Sequence, residues 1–219
     1  MNRVAIVIQW GFLVIQFITA ILAILCWEKS KSVFWRSFII IWIVTFLIET
    51  TGKIMGSYGI HNLWLYNLFF VIFYPCIILF YIDIFGKKKL GWMAVISAIV
   101  LIVWSIVNLL TVDITLNLDT YYAIVAGTLI IFFALAYLIM LFFDKETTTP
   151  LRNEYYYWFS LGFVIYFSFN TILIGMYTKI IESKSPILSD FIFYATHLIS
   201  FVLHICLWIG FRTAFKWMK

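Results

Sequence analysis

Seven uninterrupted apolar runs constrain what this chain can fold into more than any other feature. A helix rises about 1.5 Å per residue, so about 20 residues cross the roughly 30 Å hydrocarbon core of a bilayer. Inside lipid every backbone N–H and C=O must be paired within its own segment or in a closed barrel, and continuous rather than alternating apolar runs select the helix. The runs read as spans over 4–27, from 33 through the apolar body 38–48, and then 63–85, 90–110, 121–143, 155–177 and 187–211. The expected fold class is all-α: a polytopic membrane bundle of about seven transmembrane helices in one domain, 1–219. Composition excludes a soluble chain, because 65% of residues are hydrophobic and 11% charged, with mean hydropathy +1.06, against about half and a quarter in soluble domains.

The first run reads as a retained span and not a cleaved leader: Ala20 and Ala23 lie inside the apolar stretch and no polar cleavage region follows. Ser32 stands where the second helix needs an N-cap. Pro75 falls within the third run and is expected to kink or loosen that helix near its middle. The segment Glu49-Thr50-Thr51-Gly52-Lys53 reads as a polar hinge, and 111–120, 144–152 and 179–186 read as connections. Cys26, Cys76 and Cys206 each lie in an apolar run without CxxC spacing, as reduced packing residues do.

The net charge of +5 is topological evidence, not a sign of direct nucleic-acid binding. With seven spans, Lys29, Lys31, Arg36, Lys87, Lys88, Lys89, Lys145, Arg152, Arg212, Lys216 and Lys219 share one side of the membrane, and Arg3, Lys53, Lys179 and Lys184 the other. The positive-inside rule then sets the amino terminus outside and the carboxyl terminus in the cytoplasm of an inner membrane.

An ionised side chain at the bilayer centre costs about 2.5 to 3.5 kcal/mol on insertion scales, so intramembrane polar residues face the bundle interior or water. Glu49 lies about 24 Å along its helix from Val33, in the outer leaflet, with Lys53 one turn further. Two readings stay open: an interfacial ion pair with Lys53 snorkelling outward, or a ligand site under the outer surface. Asn67, Asn108 and Asn170, like Gln9, fall at similar depth, while Gln16 and His197 lie nearer the middle. Helix-packing glue is the alternative reading for each. The expected ligand-binding set is Glu49, Lys53, Asn67, Asn108, Asn170 and His197.

His197, Ser200 and His204 share one helical stripe, and the two histidines form a candidate pH-sensing pair. Their separation of about 10.5 Å along the axis is too long for both to grip one metal, and no metal site or cofactor is expected. HExxH, GxSxG and P-loop motifs are missing from the sequence, as is a midmembrane lysine in the last span for a retinal Schiff base. The runs Glu49-x-x-Gly52, Asn62-x-Trp64-x-Tyr66-Asn67-Leu68-Phe69, Tyr157-Trp158-x-x-x-Gly162 and Gly210-Phe211 together resemble a group of small seven-helix bacterial membrane proteins to which no activity is assigned. In size and character the chain is also similar to the multi-spanning accessory membrane proteins encoded beside type VI-B CRISPR effectors.

The reading that follows is a non-enzymatic inner-membrane sensor or accessory module. Its outer-half polar cavity takes a small ligand or lipid, and its basic loops meet a cytoplasmic protein partner, with self-association left open. A small-solute transporter or channel and a membrane-embedded lipid-modifying enzyme are the alternatives.

Overall fold

Backbone pairing inside hydrocarbon leaves each run one regular solution, and the helices appear where the apolar runs lie. A computed structural model describes residues 3–29, 32–111, 119–143, 150–183 and 185–217. Its elements are α1 (Arg3–Leu25), α2 (Val33–Ser57), α3 (Leu63–Phe80), α4 (Ile82–Phe85), α5 (Lys89–Thr111), α6 (Thr120–Phe143), α7 (Tyr155–Ser183) and α8 (Pro186–Trp217), with short 3-10 turns at Trp27–Lys29 and Leu151–Asn153. No strand occurs among the described residues. With α3 and α4 counted as one span, seven helices are long and apolar enough to cross a membrane, the architecture of a multi-pass membrane protein. Most of the expected connections at 111–120 and 144–152 lie outside the described residues.

Helices α1, α2, α3, α6, α7 and α8 pack in a ring in which the first and last spans are neighbours, and α5 lies against α3 and α6. Odd spans run from the amino-terminal face to the carboxyl-terminal face, and even spans return. The carboxyl-terminal half is closed by an aromatic layer. Phe38 stacks on Phe80 at 4.1 Å between centroids, Phe159 meets Phe211 edge-on at 5.0 Å, and fully buried Trp35 lies among them. Gly210 makes this closeness possible: a Cβ there would stand 2.5 Å from the Phe159 ring.

Below that layer the chain ends are tied by polar contacts. Ser32 Oγ accepts from Phe34 N and Trp35 N at 3.2 and 3.4 Å, the N-cap the sequence called for, and donates to Asp83 Oδ1 at 2.5 Å. The Trp35 indole donates to the Cys26 carbonyl at 3.2 Å, and the Cys26 thiol to the Phe211 carbonyl at 3.3 Å. Cys26, Cys76 and Cys206 form no disulfide.

Two local expectations change, and one interruption falls where nothing in the sequence marks it. The segment from Glu49 to Lys53 is no hinge, because α2 continues through it to Ser57. Its hydroxyls are absorbed into the helix, with Thr50 Oγ1 donating to the Phe46 carbonyl at 2.7 Å. Helix α3 runs on through Pro75, and the interruption falls at Tyr81, where the chain tightens into an i→i−3 bond to Ile78. The connection expected over 179–186 is shorter, because α7 extends to Ser183 and α8 begins at Pro186.

Candidate functional site

The amino-terminal half of the ring does not fill with rings as the other half does. Along α2, Trp42, Thr45, Glu49 and Lys53 are spaced by three or four residues, so they share one face, and that face lines two joined cavities. A vestibule of about 770 Å³ takes in Gln9, Lys53, Asn62, Thr196 and His197. An inner chamber of about 180 Å³ takes in Gln16, Trp42, Thr45, Asn170 and His204. Phe12, Glu49, Tyr66, Tyr166 and Ser200 line both, which puts the Glu49 carboxyl at the junction. From Glu49 down to Trp42 the inner chamber descends about 10 Å along α2, and a turn further Phe38 begins the aromatic layer.

The Glu49 and Lys53 side chains are not bonded to each other in the manner of a simple interfacial pair. Lys53 Nζ donates to the Gln9 carbonyl of α1 at 2.6 Å and lies 5.6 Å from the centroid of the Phe12 ring. Glu49 Oε2 accepts from the Tyr66 hydroxyl of α3 at 3.3 Å. Asn62 Nδ2 donates to the Gly52 carbonyl at 2.9 Å, fastening the start of α3 to α2. Gly52 is what admits Tyr66, since a Cβ there would stand 2.6 Å from the tyrosine oxygen.

The floor carries two polar atoms without a partner among the described residues. Gln16 Oε1 and Trp42 Nε1 belong to side chains 4% and 3% exposed, and both residues line the inner chamber. Leaving such an atom unpaired costs about 1–3 kcal/mol, so bundles rarely keep two of them in one place.

The histidines take separate positions around Phe12, whose ring meets each edge-on at 5.4 Å. His197 Nδ1 faces the Phe193 carbonyl at 2.7 Å, which fixes the proton on that nitrogen. His204 Nδ1 lies 2.8 Å from Thr19 Oγ1, which also accepts from the Trp208 indole at 2.7 Å. Thr19 spends its own proton on the Ile15 carbonyl at 3.0 Å, so His204 is the donor in this contact. Among the described residues no three His, Cys, Asp or Glu side chains gather as a metal site.

Of the expected set, the structure brings Glu49, Lys53, Asn170 and His197 to the cavities. It takes Asn67 and Asn108 elsewhere. Asn108 Nδ2 donates to Asp119 Oδ2, Asp119 N donates to Asn67 Oδ1 at 3.3 Å, and Asp119 Oδ1 accepts from Tyr122 N at 3.0 Å. These residues fasten the start of α6 to α3 and α5, the helix-glue alternative for both asparagines. Trp42 and Tyr166 read in sequence as ordinary aromatic bulk, and of the cavity's aromatic residues only Tyr66, in the run Asn62-x-Trp64-x-Tyr66-Asn67, carried a signal.

No protein family, curated protein or solved structure matches this chain.

Proposed function

We propose that this protein is a non-enzymatic inner-membrane sensor or accessory module that receives a small ligand or lipid in the two-chamber cavity from the outer side. The observation that carries this reading is the placement of Glu49. A carboxyl sits where the chambers join, touched by one tyrosine hydroxyl, above a floor that keeps Gln16 Oε1 and Trp42 Nε1 unpaired. Packing alone would favour apolar side chains at these positions, because buried polar groups left unpaired cost stability. Reception is favoured over conduction by the aromatic layer beneath Trp42, which backs the inner chamber with stacked rings.

Charge supports an outer placement of the cavity. By sequence, eleven of the fifteen basic residues belong to the expected carboxyl-terminal side of the spans and four to the other, the asymmetry of a cytoplasmic carboxyl terminus. The basic face is the surface for a cytoplasmic protein partner.

The test is the membrane abundance and thermal unfolding of Glu49→Gln and Asn170→Ala beside the parent protein. Both variants are expected to accumulate in the membrane and to unfold at the same temperature or higher, as residues kept for binding at a cost in stability do. Loss of both from the membrane would make them packing residues and remove the cavity's claim to function.

A further inference from the structure

The vestibule has a second wall that faces lipid. Phe12 and His197 line it from inside, and the same two residues line a separate apolar groove of about 520 Å³ between α1 and α8, with Gly11, Ile15, Leu198 and Phe201. The groove opens on the outside of the ring, where Leu198 is 65% exposed and Phe201 40%. The edge-on contact between Phe12 and His197, 5.4 Å between centroids, stands between the polar vestibule and this groove. The groove is open beside Gly11, where a Cβ would meet nothing within 4 Å.

The chemistry is ordered along this path. Innermost are acceptors, Gln16 Oε1 on the floor and the Glu49 carboxyl at the mouth of a chamber walled by Trp42, Phe73 and Tyr166. Aromatic faces and a carboxyl together suit an ammonium, with its N–H donors on the oxygens and its charge against the rings. Next, in the vestibule alone, comes Lys53, of whose three donors one goes to the Gln9 carbonyl. It suits an anionic oxygen, and a cation lying one turn from the carboxyl disfavours a ligand with net positive charge. Last comes the apolar groove. The inner chamber is larger than an ammonium group needs, which leaves room for a water accepting from Trp42 Nε1.

We infer that the cavity holds the head of a phosphoethanolamine amphiphile drawn from the surrounding bilayer, with its ammonium at Glu49, its phosphate at Lys53, and its hydrocarbon chain leaving between α1 and α8 past Phe12 and His197. The order ammonium, phosphate, chain in such a molecule is the order carboxyl, lysine, groove in the protein. A zwitterion also enters a site holding one carboxyl and one ammonium without bringing net charge into low dielectric. The inference rests on the ligand cavity proposed above and adds the class of ligand and its route.

The test uses the full chain in maltoside micelles. Native mass spectrometry and thermal unfolding are read with the palmitoyl lysolipids of phosphoethanolamine, phosphocholine and phosphoglycerol, and with free phosphoethanolamine. The ethanolamine lysolipid is expected to bind about tenfold more tightly than the other two, the worth of one charge-assisted hydrogen bond. Glu49→Gln should abolish that preference, and Gly11→Leu, which puts bulk into the groove, should weaken the lysolipid about tenfold. Equal retention of the three lysolipids, unchanged in Glu49→Gln, would mean lipid held at the bundle surface and would overturn the inference. Free phosphoethanolamine binding as well as its lysolipid, with Gly11→Leu silent, would overturn the groove and the bilayer route while the ligand cavity stood. Binding by none of the four would overturn the inference, and the stability of Glu49→Gln and Asn170→Ala would decide the cavity separately. Should Glu49→Gln fail to fold, Gly11→Leu carries the decision, since its site is open.

Discussion

Gly52 and Tyr66 show how much one missing methyl group governs. A Cβ on Gly52 would stand 2.6 Å from the Tyr66 oxygen and 3.1 Å from its Cζ, so Gly52→Ala must push the tyrosine off the Glu49 carboxyl or spread α2 from α3. Overpacking of this kind costs about 1–3 kcal/mol, and a lower unfolding temperature in detergent is the expected result. Adding Tyr66→Phe to Gly52→Ala should recover part of the loss, because the closest atom is then gone while the ring remains tight. A double variant as unstable as Gly52→Ala alone would show that the clash lies elsewhere. In sequence, Gly52 and Tyr66 stood in motifs without a visible reason to belong together. Their partnership depends on how α2 and α3 lie side by side, which spacing along either helix does not encode. The same limit explains Asn67 and Asn108. Their depth was readable, but their turn toward Asp119 was not, because it depends on rotation about each helix axis.

The helices were readable as spans and less so at their ends. Polar residues near a span end look like a connection in sequence, yet Glu49 to Lys53 stay helical inside α2 and 179–183 stay helical in α7, because a helix pairs its own backbone whatever its side chains do. Conversely, α3 is interrupted at Tyr81, where no proline or glycine marks a break. One element end carries a titration. Glu154 stands between the 3-10 turn and α7, where burial pushes its carboxyl above the ordinary value of 4.5, against the pull of the Tyr156 N–H and the Tyr137 hydroxyl. A raised carboxyl binds its proton more tightly folded than unfolded, so its contribution to stability grows as pH falls through the raised value toward 4.5 and is lost as pH rises. Unfolding of the parent in detergent should therefore show stability declining with pH across that window, and Glu154→Gln should flatten the decline. An unchanged slope would mean that another group titrates there.

At the scale of the molecule, the span count and helical class were legible because bilayer thickness and backbone pairing admit so few solutions. The cavity was legible only as a shared depth of polar residues. Its two chambers, its aromatic floor and its lipid-side groove arise from which helices are neighbours, and loops this short leave several rings open. The orientation expected from charge is measurable directly. A reporter enzyme active only in the cytoplasm, fused after the carboxyl terminus, is expected to be active, and one fused in the Ser57–Asn62 turn, inactive. The reverse pattern would turn the vestibule toward the cytoplasm.

The meeting of the first and last spans has a consequence in time. Thr19 waits for His204 and Trp208, and Cys26 for the Phe211 carbonyl, contacts that join residues 185 to 189 positions apart. During synthesis every wall of the cavity but one is in place before Ser200 and His204 leave the ribosome. A chain halted after α7 would sit in the bilayer anchored and threaded like its longer counterpart, yet with a trough open to lipid where the walled cavity should be. Occupancy of the site would therefore report that the final helix has arrived.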